Sequence, residues 1–147
     1  MNSVESIKAL FISKGLKVTL QRIAVYQAME VLGHACPEAI ITEIHKVYPT
    51  ITIATIYNVL ECLVENKILT KVMTGDNKMY FDIRTDEHHH LYSAQDHRIE
   101  DFDDPLLMEM IRNYLCSKKM DDFELEEIKV QLVGKFKNKT SKILYNC

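Results

Sequence analysis

Apolar residues recur with helical spacing in four separate runs over the first 65 positions of the chain. Val4, Ile7, Leu10 and Phe11 lie on one face of residues 3–14, and Gly15 supplies a C-terminal stop. Thr19 is placed to cap a second helix carrying Leu20, Ile23, Ala24, Met29 and Leu32, which ends at Gly33. Pro37 suits the first turn of a third helix with Ile40, Ile41 and Ile44 as its face. Thr52 caps a fourth, residues 53–65, with Ile56, Leu60, Leu63 and Val64 inward. Two short alternating runs follow, residues 68–73 and 78–83, joined by a turn at Gly75-Asp76-Asn77. Helix, helix, short helix, loop, helix and hairpin is the order of a winged helix-turn-helix.

The pattern then changes. Strands are predicted at residues 88–93 and 98–102, a helix at 104–117 started by Pro105, and a strand at 123–133. Leu106, Leu107, Met110, Ile111, Tyr114 and Leu115 form the apolar face of that helix, and Ile128, Val130, Leu132 and Val133 lie on the strand. The expected fold is α+β: a winged helix-turn-helix domain over residues 1–84, then a small α/β domain over 85–147.

Composition narrows the class. A hydrophobic fraction of 47% supports a packed core, and 27% charged residues suits a soluble protein. No apolar run approaches a membrane span, so no membrane association is expected. Cys36, Cys62, Cys116 and Cys147 are scattered, with no C-x-x-C pair. That pattern argues against a disulfide framework and against an all-cysteine zinc site, and makes a reduced cytoplasmic protein the default. Cys62 and Cys116 fall in helical patterns and read as small buried residues. The net charge is −3. Residues 1–84 carry nine Lys and Arg against eight Asp and Glu, whereas residues 85–147 carry nine against thirteen. The asymmetry permits nucleic-acid binding by the first half without demanding it.

In that half the fourth helix is the candidate reader. Thr52 and Thr55 offer hydroxyls for phosphates, and Tyr57 and Asn58 offer groups for base edges. A half-buried core role is the competing reading of Tyr57. Lys14, Lys17, Gln21 and Arg22 are candidate backbone contacts, and Lys71 and Lys78 serve the hairpin wing.

The densest chemistry is His88-His89-His90, with Asp82 and Glu87 before it and Asp101 after it. On a strand, side chains alternate, so His88 and His90 project one way and Glu87 and His89 the other. Imidazole with carboxylate is a ligand set for iron, manganese and zinc.

Taken together, Leu16-Lys-Val-Thr-Leu-Gln-Arg22, Thr52-Ile-Ala-Thr-Ile-Tyr-Asn58, the histidine triplet and Ile99-Glu-Asp-Phe102 resemble the ferric uptake regulator family, closest to its peroxide-sensing repressor branch. The resemblance covers nearly the whole chain. It implies a winged helix followed by a dimerisation domain, acting as a homodimer that represses from palindromic DNA operators under control of Fe(II) or Mn(II), with Zn(II) as an alternative. It also implies a regulatory site of His34, Asp82, His88, His90 and Asp101. His34 is assigned on the resemblance alone. His45 and His97 have no such support and read as surface residues. In the peroxide-sensing branch the last carboxylate tends to be Asp, as at Asp101, and iron-dependent oxidation by peroxide falls on a ligand histidine, here His34 or His88.

The same resemblance suggests a second site on the other face of the strand, with Glu87, His89 and Glu127. A helix carboxylate at Glu109 is one residue out of register. The chain departs from the family at the structural zinc site. The positions of its two C-x-x-C pairs fall at Ser93 and Asp96, and at Phe136 and Lys139, so no zinc held by four thiolates is expected there. Two other readings remain from the sequence: a family member that binds DNA or a protein without metal control, and a small metalloenzyme using an open His-carboxylate site. The second lacks an H-E-x-x-H motif, a phosphate loop and a nucleophile elbow.

Overall fold

The structure is a computed structural model and describes residues 1–137. It divides into two units, one over Met1–Thr85 and one beginning at Asp86.

The first unit follows its capping residues. Helix α1 spans Val4–Ser13, with the Ser3 hydroxyl accepting from the Ser6 amide. Helix α2 spans Leu20–Leu32, capped by Thr19 through the Arg22 amide. Helix α3 spans Pro37–His45 with proline in its first turn. Helix α4 spans Ile53–Glu65, with the Thr52 side chain accepting from the Thr55 amide. Each such cap contributes about 1 kcal/mol. Phe11, Met29, Ile40, Ile56, Leu60 and Leu63 are fully buried in a shared core, each worth roughly 1.5–3 kcal/mol relative to exposure. The Phe11 and Tyr26 rings meet edge to face at 5.9 Å.

Three strands complete this unit. The two-residue strand β1 is His34–Ala35, β2 is Thr70–Met73 and β3 is Met79–Asp82, in the antiparallel order β1-β3-β2. The hairpin turn between β2 and β3 has Asn77 in the left-handed region at φ 61°. Strand β1 was invisible to periodicity because two residues carry no pattern. It forms because Gly33, at φ 75°, reverses the chain after α2 and its carbonyl accepts from the Ile83 amide at 2.9 Å. His45 is half-buried, not a surface residue, and its Nε2 lies 2.7 Å from the Ile51 carbonyl. It thereby ties the end of α3 to the loop leading into α4.

In the second unit, β4 is His89–Ser93, β5 is Arg98–Phe102, helix α5 is Pro105–Cys116 and β6 is Gln131–Val133. The sheet order is β5-β4-β6, with β4–β5 antiparallel and β4–β6 parallel. The strand expected over 123–133 is only its last three residues. The stretch before it is rich in Asp and Glu and largely exposed, and pairing with β4 begins at Gln131. His97 is a half-buried turn residue at φ 53°, with Nδ1 3.4 Å from the Tyr92 hydroxyl, and not a simple surface group.

The cysteine expectations are partly corrected. Cys62 is a half-buried free thiol and Cys116 an exposed one at the end of α5, and neither is the small buried residue expected. Cys147 lies outside the described residues. Among the described residues, no helix is long and apolar enough to cross a membrane.

Candidate metal centre and nucleic-acid interface

Strand β4 and the residue before it set the geometry of the second unit's cluster. His90 and Asp101 are register partners across β4–β5, so their side chains share a face. His88 and His90 both direct Nε2 at Asp101 Oδ1, at 3.7 and 3.6 Å. Their rings pack at 4.7 Å with a 70° interplanar angle. Both imidazoles are nearly buried, at 4% and 7% exposure, while Asp101 is 36% exposed. These distances exceed hydrogen-bonding range. They approach the spacing of ligand atoms around a first-row cation, about 3.0–3.4 Å for bonds near 2.1 Å. His88 Nδ1 sits 2.8 Å from the Asp86 carbonyl. A carbonyl only accepts, so Nδ1 carries the proton and the lone pair of the neutral ring is on Nε2, the arrangement typical of ligand histidines. The three residues therefore fit a divalent cation.

The first unit holds a pair of its own. His34 on β1 and Asp82 on β3 are register partners. Asp82 is 1% exposed, and its Oδ1 accepts from the Arg84 amide at 2.8 Å. His34 is half-buried. Sequence reasoning placed both residues but missed the strand pairing that sets them side by side.

The other face of β4 is different. Glu87 and His89 line a cavity of about 180 Å³ with Asp103, Asp104, Met108 and Arg112. Glu127 is not among its lining residues; it is exposed, 3.6 Å from Lys129. Glu109 is likewise exposed, and the buried residue of α5 is Met108. The Arg112–Glu87 ion pair, at 2.5 Å, carried no sequence signal because the two positions are 25 residues apart.

The model of the ferric uptake regulator family matches residues 13–139. The chain belongs to the ferric uptake regulator family. The peroxide-responsive repressor PerR of Staphylococcus aureus is 31% identical over 134 residues, covering 88% of this chain and 86% of that protein. The fold is that of the Vibrio cholerae ferric uptake regulator, with a TM-score of 0.74, 22% identity, and 87% and 98% of the two chains covered. It is also that of the Pseudomonas aeruginosa ferric uptake regulator solved with manganese, with a TM-score of 0.72, 20% identity, and 92% and 100% covered. Members of the family are regulators and not enzymes, which removes the metalloenzyme reading.

In this member of the ferric uptake regulator family, the positions assigned to thiolates hold other chemistry. Hydrogen bonding from the Ser93 hydroxyl holds the Asp96 carboxyl below its ordinary range. Arg98 stacks its guanidinium on Phe136 at 4.1 Å and pairs with Glu100. Lys139 lies outside the described residues.

The DNA-facing candidates of this family member divide by engagement. Lys14, Lys17, Gln21, Thr52 and Asn58 are exposed, while Thr55, Tyr57 and Lys78 are half-buried. The Thr52 hydroxyl accepts from the Thr55 amide and donates to the Thr55 hydroxyl at 2.9 Å, so both threonines are committed to the helix cap. Arg22 donates to the Lys17 carbonyl at 2.5 Å and to Cys62 Sγ at 3.5 Å, which ties the start of α2 to its neighbours. Lys71 Nζ lies 2.6 Å from Glu61 and over the Phe81 ring. The sequence reading missed Ile53, an apolar residue 53% exposed in the first turn of α4.

Proposed function

We propose that this protein is a metal-dependent transcriptional repressor, acting as a cytoplasmic homodimer on a palindromic operator. Residues 1–84 bind DNA, and residues 85–147 dimerise and sense metal. The observation that carries this reading is the convergence of His88 and His90, each through Nε2, on Asp101. His34 and Asp82 complete the ligand set from the first unit, on the family resemblance and on their register pairing. The cation is Fe(II) or Mn(II), the oxygen- and imidazole-preferring choices for such a set, with Zn(II) as the competitor. Bound there, it supplies positive charge that five ligands share and so favours one relative arrangement of the two units. Asp101, Asp82 and the imidazoles hold it, and the Asp86 carbonyl keeps His88 in the ligating tautomer.

On DNA, α4 enters the major groove. Asn58 pairs with an adenine edge, Tyr57 and Ile53 contact thymine methyls, and Lys14, Lys17, Gln21 and Arg22, with Lys71 and Lys78 on the wing, follow the phosphates. The relation to the Staphylococcus aureus repressor and the aspartate at position 101 favour peroxide as a second input. Oxidation would then fall on the ring of His34 or His88.

The test is an operator selected from random duplexes with Mn(II)-loaded protein, then titrated by gel shift with Mn(II) and with chelator. Metal is expected to tighten binding on the order of 5- to 150-fold, and His90→Ala is expected to abolish the difference. Equal affinity with and without metal overturns metal control and leaves a constitutive DNA binder. For peroxide, the His34 and His88 peptides of Fe(II) protein are weighed after dilute peroxide. An added oxygen atom is expected, and its absence removes peroxide sensing.

A further inference from the structure

The histidine triplet holds one ring in two settings, and hydrogen bonding tells them apart. His89 is 2% exposed, and its Nδ1 accepts the Val130 amide at 3.2 Å. An amide N–H only donates, so Nδ1 keeps its lone pair and the proton of the neutral ring sits on Nε2. That Nε2 has no hydrogen-bond partner among the described residues. A ligand histidine is the reverse: its outer nitrogen donates and the inner one offers the lone pair. His88, one residue earlier, has that reverse arrangement. For His89 to ligate through Nε2, the proton must move to Nδ1, where it would confront the Val130 N–H. The carboxylates lining the cavity are engaged elsewhere: Asp104 Oδ1 accepts the Leu107 amide at 3.1 Å as the cap of α5, and Asp103 has an interaction of its own. Glu87 is held by Arg112 through both oxygens. Met108 offers a thioether, a soft donor poorly matched to Fe(II) or Mn(II).

We propose that the face of β4 bearing Glu87 and His89 takes no metal, that each chain holds a single regulatory cation, and that His89 is a positioning residue. Its Nδ1 captures the Val130 amide immediately before the parallel pairing of β4 with β6 begins at His90 and Gln131. The ring thus anchors β6 beside the strand that carries His90. The inference deepens the regulatory reading and rests on it for the opposite face.

The test is Mn(II) titration of the full chain, following free Mn(II) by its paramagnetic resonance. Wild type, Glu87→Gln, His89→Gln and His90→Ala are compared, each confirmed folded by circular dichroism. Gln at position 89 keeps an acceptor for the Val130 amide. The expected result is one Mn(II) per wild-type chain, the same stoichiometry in Glu87→Gln and His89→Gln, and loss in His90→Ala. Two Mn(II) per wild-type chain, one of them lost with Glu87→Gln or His89→Gln, overturns the proposal. Glu87 is at the surface, so that variant keeps the test decisive if His89→Gln fails to fold. A wild-type chain that takes no Mn(II) sinks the regulatory centre and, with it, the single cation per chain; only a second Mn(II) lost with Glu87→Gln or His89→Gln speaks against the metal-free face itself.

Discussion

His88 and His89 are adjacent, carry the same ring and are set to opposite tasks by one backbone group each. A carbonyl at Asp86 places the proton of one on Nδ1, as the proposed cation site requires; an amide at Val130 makes the other an acceptor within the protein. Residue-level chemistry of this kind depends on the partner and not on the residue type. Tyr26 shows the same dependence. Burial, and next the Glu30 carboxylate, push its phenol above the ordinary value. The folded state then holds the proton more tightly than the unfolded chain. Stability is therefore level below the ordinary phenol value and falls as pH climbs through the raised folded one. Tyr26→Phe is expected to flatten that decline, read as the urea midpoint between about pH 9 and 11. An unchanged slope would assign the alkaline loss to other groups.

At the scale of elements, helix α5 presents two faces. Met108 is buried, but Leu106, Met110 and Tyr114, spaced at four-residue intervals, are each more than 60% exposed. Leu132 and Val133 of β6 are exposed as well. An apolar stripe of this length suits the proposed homodimer. Met110→Glu is expected to convert a dimer into monomers in sedimentation, with the helical signal kept; a dimer that persists places the interface elsewhere. The Arg98–Phe136 stack joins the β4–β5 hairpin to the segment after β6, while Arg98 also pairs with Glu100 on its own strand. A cation over an aromatic face contributes about 0.5–2 kcal/mol according to its burial. Phe136→Leu is expected to lower stability by that order in denaturant unfolding. A change near zero would show that apolar contact alone suffices there.

For the whole molecule, the proposal is a coupling between cation and operator. Coupling is reciprocal: if metal tightens DNA binding by some factor, DNA tightens metal binding by the same factor. Adding the selected operator is therefore expected to lower the Kd for Mn(II) by the ratio seen in the gel shift, commonly 1–3 kcal/mol or roughly 5- to 150-fold. Calorimetric Mn(II) titrations with and without duplex check it. A gel-shift effect without the matching shift in metal affinity would mean that the two ligands are not linked through one equilibrium.

Much of this was readable from the residues in order. Thr19 and Thr52 are the caps of their helices, Gly33 ends α2, and Pro37 and Pro105 begin α3 and α5. These are local signals, carried by side chains within a turn of the backbone they satisfy. Alternation along a strand likewise put His88 and His90 together and His89 apart. Tertiary structure decided what depends on a distant partner: the two-residue strand that aligns His34 with Asp82, and the start of β6 at Gln131 and not earlier. It also decided the commitment of Glu87 to Arg112, and which nitrogen of each histidine keeps its proton. Periodicity describes how a segment faces a core, but a lone pair is assigned only by the group that meets it.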